Sequence, residues 1–477
     1  MSTGTEKTQG FKLKLSTVGG MIAIFSILFF FCSSLRHLLF QSTAWDLGIF
    51  DQAVYLISQN QTPISSFMGF HLLGDHAAFI FYPLALLYKI YPTVYWLFAV
   101  QAVALALGAL PTYYLALEAG LKAGLATAMT VVYLLYPMVF NLNLFDFHSD
   151  VIALPAILGA ILAARRGHLS WFCLAITLIL SCKAVLSLTV AAMGLWLLLF
   201  EKRRLYGAIA LFSGVAWFII ATQGIIPFFG GESATVARHL SRYQHLGSSF
   251  PEIAKNLVLQ PQLLLTSIFS WDNLAYLLLL ISPLLWGLSP LHLTPLVGAI
   301  PALAMNILSD SQLQKDLIHQ YSLPILPFLL LAVIASLVSG RGWLKHQRSV
   351  IIWSVVAFLA LAKFGYLGSR YLENLDTWQA TREAVALVST KGSVLTTAYI
   401  APHLSQRSTI RVTNVAAPSA NLAEFDYVLL DVRHPGLDSN QEFATDLVQQ
   451  LKNSPKFQSA YQKNDVFLFA KVNSADR

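Results

Sequence analysis

The chain has 477 residues, 56% of them hydrophobic and only 12% charged, about half the roughly 25% charge of soluble domains; with apolar runs such as Met21–Phe31, Leu278–Leu285 and Ile325–Leu337, this excludes a protein that packs in water throughout. The formal charge of +7 is scattered through short loops and forms no stripe, which argues for membrane topology and against a nucleic-acid partner. Cys32, Cys173 and Cys182 all fall in apolar segments, so neither a disulfide framework nor a zinc spacing follows from them.

The first apolar segment, Thr17–Phe40, is long and is followed by no small-residue cleavage pattern; it reads as a retained span and not as a signal peptide. Lys7, Lys12 and Lys14 precede it, which places the N-terminus in the cytoplasm. The polar stretch Gln41–His76 is then outside. Ala77–Tyr91 is short for a span, carries Pro83 and ends at Pro92, and is expected to be an interfacial or re-entrant helix. Thr93–Leu117 is the second span. Others follow at approximately 123–140, 150–164, 169–183, 184–200, 206–227, 271–288, 290–307, 321–339 and 349–368, most near the 20 residues a bilayer requires. This pairing puts Lys122, Arg165–Arg166, Lys202–Arg204 and Arg341–Arg348 on the cytoplasmic side; counting Ala77–Tyr91 as a span would break the agreement. The expected fold is mainly α, a polytopic helical membrane domain over 1–368 with about eleven spans.

From about residue 369 the composition changes. Thr377–Ser389 and Gln441–Leu451 read as helices, and Ser393–Ala398, Tyr427–Val432 and Asp465–Val472 as strands. A small α/β domain over 369–477 is expected, placed outside the cytoplasm by the topology.

The predicted cytoplasmic loops carry mainly Lys and Arg, the opposite loops Asp and His. The first of these holds Trp45-Asp46-Leu47-Gly48-Ile49-Phe50-Asp51-Gln52, then His71, Asp75 and His76. The next holds Asn143 and Phe145-Asp146-Phe147-His148-Ser149-Asp150; later ones hold Glu232, Arg238, His239, Arg242, His245, Asp310, Lys315, Asp316, His319, Gln320 and Tyr321. Carboxylates beside a bilayer are costly unless solvated or paired, so several along one surface point to a site. A carboxylate there can act as general base toward a hydroxyl, and Arg or Lys can hold a phosphate. Ordinary readings stand beside these. Asp46 and Asp51 can cap or solvate a short helix, and the Asp146–Asp150 run can be a loop with an N-cap. Arg238, His239, Arg242 and His245 can form a solvated face, and Lys183, between two short spans, can snorkel. Asp and His are also metal-ligand types, but no fixed ligand spacing is present and the sequence requires no cofactor.

With these residues in view, the sequence resembles the bacterial and archaeal predicted membrane proteins grouped as domain of unknown function 2079. The matching segments are Asp46–Gln52, Gly74-Asp75-His76 with Tyr82-Pro83-Leu84, Phe145-Asp146-Phe147-His148, His319 and Tyr321 with Pro327, and Ala401-Pro402-His403-Leu404-Ser405 with Arg407. That family is similar to the GT-C glycosyltransferases, multi-span enzymes that use lipid-phosphate-linked sugars and commonly carry a catalytic acid in the first outer loop. The resemblance implies that role for Asp46 and an interfacial helix for Ala77–Tyr91. In the family the segment around Lys183 often reads Lys-Glu; here it is Lys183-Ala184, a departure that bears on activity more than on architecture.

The expectation is therefore a membrane glycosyltransferase that passes a sugar from a polyprenyl-phosphate donor to a glycan, lipid or protein acceptor on the extracytoplasmic face. Asp46 would be the base. Lys183, Arg238 or Arg242 would hold the phosphate, Asp146 and His148 would orient sugar or acceptor, and Asp51, Asp75, His76, His319 and Tyr321 are further candidate contacts. Membrane lipid is a partner and nucleic acid is not. The membrane is expected to be a prokaryotic cytoplasmic membrane, with a thylakoid location the other choice. The rival expectations are a transporter or lipid-handling protein, with ionisable groups in broken helices, and a non-catalytic membrane assembly protein.

Overall fold

The computed structural model describes residues 3–231, 240–417 and 421–472. Among the described residues, four helices are long and apolar enough to cross a membrane: Thr17–Leu38, Tyr95–Glu118, Arg204–Gly230 and Gln320–Val338. Three bent pairs, Ala123–Leu134 with Pro137–Asn143, Pro261–Ile268 with Trp271–Ile281, and Gln347–Leu361 with Phe364–Leu372, raise the number to seven if each is one span. Other segments of the expected eleven are shorter helices. Leu169–Cys182 and Leu186–Leu199 have 14 residues each, about 21 Å of helix against about 30 Å of hydrocarbon. Between them Lys183 is extended, at φ −164° and ψ 136°. Phe81–Ile90, in the segment expected at the interface, has 10 residues, about 15 Å.

The chain divides into two compact units. The helical unit takes in 1–31, 73–80 and 99–363. Its tightest helix pair is Leu186–Leu199 against Arg204–Ile220, where small residues let the backbones touch. A Cβ on Gly194 would meet Leu211 N and Gly207 O, and one on Gly207 would meet Leu198 and Gly194 O. Helices in lipid associate by such close packing because no hydrophobic drive separates side chain from solvent there. The turn joining the pair is secured by Glu201, which accepts two hydrogen bonds from Arg165 at 2.8 and 3.0 Å.

The second unit comprises 32–72, 81–98 and 364–472 of the described chain. Its sheet has strands β3 (Val394–Thr396), β4 (Ile410–Val412), β5 (Tyr427–Asp431), β6 (Phe457–Lys463) and β7 (Val466–Lys471); β1 (Ile64–Ser65) and β2 (Phe70–His71) form a separate hairpin. The order is β4-β3-β5-β7-β6, with β3 parallel to β4 and β5, and β7 antiparallel to β5 and β6. Strand alternation sorts the side chains onto two faces. Val394, Leu429, Val466 and Leu468 pack with Ala380 and Ala384 of helix Leu375–Leu387. Leu395, Val428, Leu430, Phe467 and Phe469 pack with Leu447, Val448 and Leu451 of helix Gln441–Lys452. Asn464 and Asp465 turn the β6–β7 hairpin, both at positive φ, the geometry of a tight primed turn.

Candidate functional site

In the helical unit, four stretches of chain distant in sequence converge where the helices break. The short helix Leu73–His76 carries Asp75 and His76, whose carboxylate and imidazole meet at 3.2 Å. Gly74 precedes them because the backbone of Gly230 approaches closely: a Cβ on Gly74 would lie 2.5 Å from the Gly230 Cα. This stretch is hydrogen-bonded to the break at Lys183. Ala184 N–H donates to the His76 carbonyl at 2.8 Å, and Ile80 N–H to the Ser181 carbonyl at 3.0 Å.

The third stretch is Phe145–Asp150. The Ser149 hydroxyl donates to the Cys182 carbonyl at 2.7 Å, and Asp150, opening helix Asp150–Arg166, faces the Lys183 ammonium at 3.4 Å with both side chains buried. Asp146 is fully buried, and His148 Nδ1 lies 2.9 Å from its carbonyl oxygen. The His148 ring stacks on Phe145 at 5.4 Å, and Phe145 meets His319 edge-on at 4.7 Å.

His319 belongs to the fourth stretch. Its ring donates from Nδ1 to Asp316 at 2.7 Å, while the other Asp316 oxygen accepts the backbone N–H groups of Ile318 and His319. In a neutral ring this leaves Nε2 as an acceptor. Two residues on, Tyr321 lies under Arg242, whose guanidinium carbon is 5.2 Å from the ring centroid. Tyr321, Asp150 and Asp75 all act electrostatically on Lys183. The Arg242 carbonyl accepts from Asp310 N–H at 2.9 Å, and Asp310 pairs with His245 at 2.7 Å.

Of the residues expected from sequence, Asp75, His76, Asp146, His148, Lys183, Arg242, His319 and Tyr321 therefore all fall in this one unit. Arg238 lies outside the described residues, as do Glu232 and His239. Two participants were not singled out: Asp150, read as a helix cap, and Asp316, read as one loop acid among several. Among the described residues, no group of three or more His, Cys, Asp or Glu side chains is arranged to hold a metal ion.

Asp46 and Asp51 belong to the other unit. Asp46 stands half-buried on the wide turn Ala44–Gly48. Its neighbours tie that turn to the tail: Ala44 N–H donates to the Ala398 carbonyl at 2.9 Å and Trp45 Nε1 to Asp438 at 2.7 Å. Asp51, buried in helix Ile49–Ser58, accepts from the Tyr88 hydroxyl at 2.6 Å, the Ser405 hydroxyl at 2.5 Å and Gln406 Nε2 at 3.3 Å. Burial pushes its carboxyl up, opposed by those hydrogen bonds. Gln52 does the same tying work, accepting from Ser66 N–H at 2.9 Å and donating to the Arg407 carbonyl at 3.1 Å.

Spans, helix breaks and the sheet-bearing unit together define a mainly helical integral membrane protein. The fold is that of ArnT: the crystal structures of ArnT from Cupriavidus metallidurans bound to undecaprenyl phosphate and in the apo state match with TM-scores of 0.57 and 0.55, each at 12% identity and covering 96% of this chain and 98% of that one. The chain belongs to the family described as predicted membrane protein (DUF2079), whose pattern matches residues 36–468. No curated protein matches it.

Proposed function

We propose that the protein is a glycosyltransferase that moves a sugar from a polyprenyl-phosphate donor to an acceptor on the extracytoplasmic face. The observation that carries this is the Arg242 guanidinium held over the Tyr321 ring, in the same unit as the buried Lys183 ammonium at the helix break. Fixed cations among apolar helices suit a phosphate carried on a lipid. The Arg242 guanidinium lies over the Tyr321 ring, and its planar fork suits bidentate bonding to phosphate oxygens. Lys183, with Asp150 compensating it, adds a point charge. As the sugar–phosphate bond breaks, charge grows on the phosphate, and cations fixed beforehand stabilise that growth most. ArnT, the protein of like fold, has been captured with undecaprenyl phosphate, which favours the same donor chemistry here. His319 and His148 take the role of orienting hydroxyls. Asp46 is assigned the proton of the acceptor hydroxyl from its place in the first loop alone.

The test is to reconstitute the purified protein with a panel of polyprenyl-phosphate sugars and acceptors and to measure released polyprenyl phosphate. Release that falls at least a hundredfold in R242A and in D46N supports the reading. No release with any donor, or release untouched by both variants, refutes it. A transport reading draws on a different feature, the buried Lys183–Asp150 pair at a helix break; it predicts substrate counterflow across vesicles without release.

A further inference from the structure

The stretch of chain that carries Tyr321 also holds a histidine fixed by a carboxylate. His319 Nδ1 and Asp316 Oδ2 meet at 2.7 Å, and Asp316 Oδ1 accepts the N–H groups of Ile318 at 2.8 Å and His319 at 2.9 Å. The carboxylate is thereby anchored to its own loop, and the imidazole is anchored through it. Phe145, from the loop before helix Asp150–Arg166, braces the ring edge-on at 4.7 Å between centroids. Acid and ring are held before anything binds, so little orientational freedom is lost on binding.

A histidine fixed for packing alone has its polar atoms satisfied or solvated without purpose; this one is aimed. Among the described residues Nε2 has no hydrogen-bond partner, it is not one of the sealed polar atoms, and 17% of the side chain stays exposed. With Nδ1–H committed to Asp316, Nε2 of the neutral ring can only accept. Its complement is a donor, and on a sugar that donor is a hydroxyl.

Position decides which hydroxyl. The Arg242 segment is bonded to the same stretch of chain: Asp310 N–H donates to the Arg242 carbonyl at 2.9 Å, and the Tyr243 hydroxyl to the Met305 carbonyl at 3.2 Å. Arg242 lies over Tyr321, two residues from His319, which is at most about 7 Å of chain. The transferred sugar is one bond from the donor phosphate. A group this near the phosphate-binding fork therefore meets the sugar of the donor before it meets the acceptor.

We infer that His319 recognises one hydroxyl of the transferred sugar through Nε2, and that Asp316 is a positioning residue that sets the tautomer of His319. The substrate class is then a donor whose sugar carries a free hydroxyl at that position. The inference rests on the transferase reading above and adds a specificity-determining pair to it.

The experiment uses the full-length protein in nanodiscs, with the acceptor panel above and polyprenyl-phosphate glucose, mannose and galactose. Each sugar is compared with its 2-, 3-, 4- and 6-deoxy and deoxyfluoro analogues, and kcat/KM is read from released polyprenyl phosphate. One deoxy position is expected to cost the wild type at least tenfold, because a site built to bond a hydroxyl rejects the analogue lacking it. H319F should lose at least tenfold on the parent sugar and treat parent and that analogue alike. D316N tests the tautomer. Its amide oxygen keeps the backbone N–H groups, its NH2 donates to Nδ1, and the ring proton moves to Nε2. Fluorine accepts and cannot donate, so the ratio of fluoro to deoxy turnover should rise at least fivefold in D316N over wild type. Unfolding temperature checks that both variants fold; D316N, the more conservative, decides alone should H319F not. The inference is overturned if wild type turns over hydroxyl and deoxy sugars alike, if H319F keeps the wild-type discrimination, or if the ratio in D316N is unchanged. No release by wild type with any of these sugars overturns the transferase reading and this inference with it. Release that R242A abolishes, with discrimination intact in H319F, overturns this inference alone.

Discussion

In the helical unit the buried carboxylate of Asp150 faces an ammonium, Lys183, at 3.4 Å; in the sheet-bearing unit the buried carboxylate of Asp51 is hydrogen-bonded by neutral donors, from Tyr88, Ser405 and Gln406, with Lys391 acting on it electrostatically and without a hydrogen bond. The first arrangement sets an acid against a base where the helices break. The second spends a carboxylate on fastening: Ser405 is 354 positions away in sequence, so Asp51 closes a long loop of chain onto helix Ile49–Ser58. Two acids that look equivalent in sequence, each beside a short helix, thereby do different work. The partner decides, because an ammonium stabilises the ionised form whereas burial alone disfavours it.

The largest effect should come from breaking the charged arrangement. Removing one partner of a buried ion pair leaves the other uncompensated and costs about 3–5 kcal/mol, while replacing both by apolar residues of similar volume is often neutral. K183M is therefore expected to lower thermal stability sharply, and K183M/D150L to recover most of the loss without recovering polyprenyl-phosphate release. If the single and double variants unfold alike, the pair does not behave as a buried ion pair and the contrast with Asp51 collapses. D51A comes next: it strands buried donors, at about 2–3 kcal/mol in all. D51N should lose less, since the amide oxygen still accepts. Susceptibility of the tail to proteolysis gives a second readout, and a tail as resistant in D51A as in wild type would deny the fastening role.

A pH experiment sharpens the same contrast within the second unit. His403, half-buried and stacked on His37 at 3.9 Å between ring centroids, is pushed by desolvation down to about 3. Its unfolded form binds a proton below about pH 6.5 and its folded form does not, so stability declines as pH falls from 6.5 toward 3. The loss should reach about 2 kcal/mol by pH 5. Asp51 has the opposite sign. Its folded carboxyl, pushed up by burial, holds a proton that the unfolded chain releases, so its contribution weakens as pH rises above about 4. H403F should flatten the acid limb of a stability profile measured by denaturant unfolding; an unchanged slope between pH 6.5 and 5 would place the acid sensitivity elsewhere.

The Asp46–Gln52, Gly74-Asp75-His76 and Phe145–His148 segments stand out in the sequence because polar residues interrupt apolar runs there. Strands β3, β5 and β7 were legible because Val, Leu and Phe alternate between two buried faces. Edge strand β6 was not: in Phe457–Lys463 only the first residue is buried, so no apolar period marks it. Strand β4 is three residues long with Arg411 at its centre, too short for any period. The Lys183–Asp150 pair spans 33 positions and a helix reversal, and no local spacing rule relates such residues. Thr381 and Thr397, whose buried hydroxyls find no hydrogen-bond partner within the described protein, were invisible for another reason. Whether a hydroxyl is bonded depends wholly on what folds over it, and Thr396, next to Thr397, does find a partner in the Leu429 carbonyl at 2.7 Å.

The smallest expected effect probes how Arg242 is aimed. If Tyr321 serves as a platform for the guanidinium, the ring matters and the hydroxyl does not. A cation over an aromatic face at a partly exposed site contributes about 0.5–1 kcal/mol, equivalent to about a two- to fivefold change. Y321A should accordingly raise KM for the polyprenyl-phosphate sugar by that factor, Y321F should leave it nearly unaltered, and R242K should lose more than either because an ammonium cannot make the planar, two-pronged contact. Unfolding temperature should stay close to wild type in Y321F, which separates aiming from simple packing. Equal damage from Y321F and Y321A would mean that the phenol oxygen, through its electrostatic reach to Lys183, is the part that counts, and the cation-stacking account of Arg242 would then have to be given up.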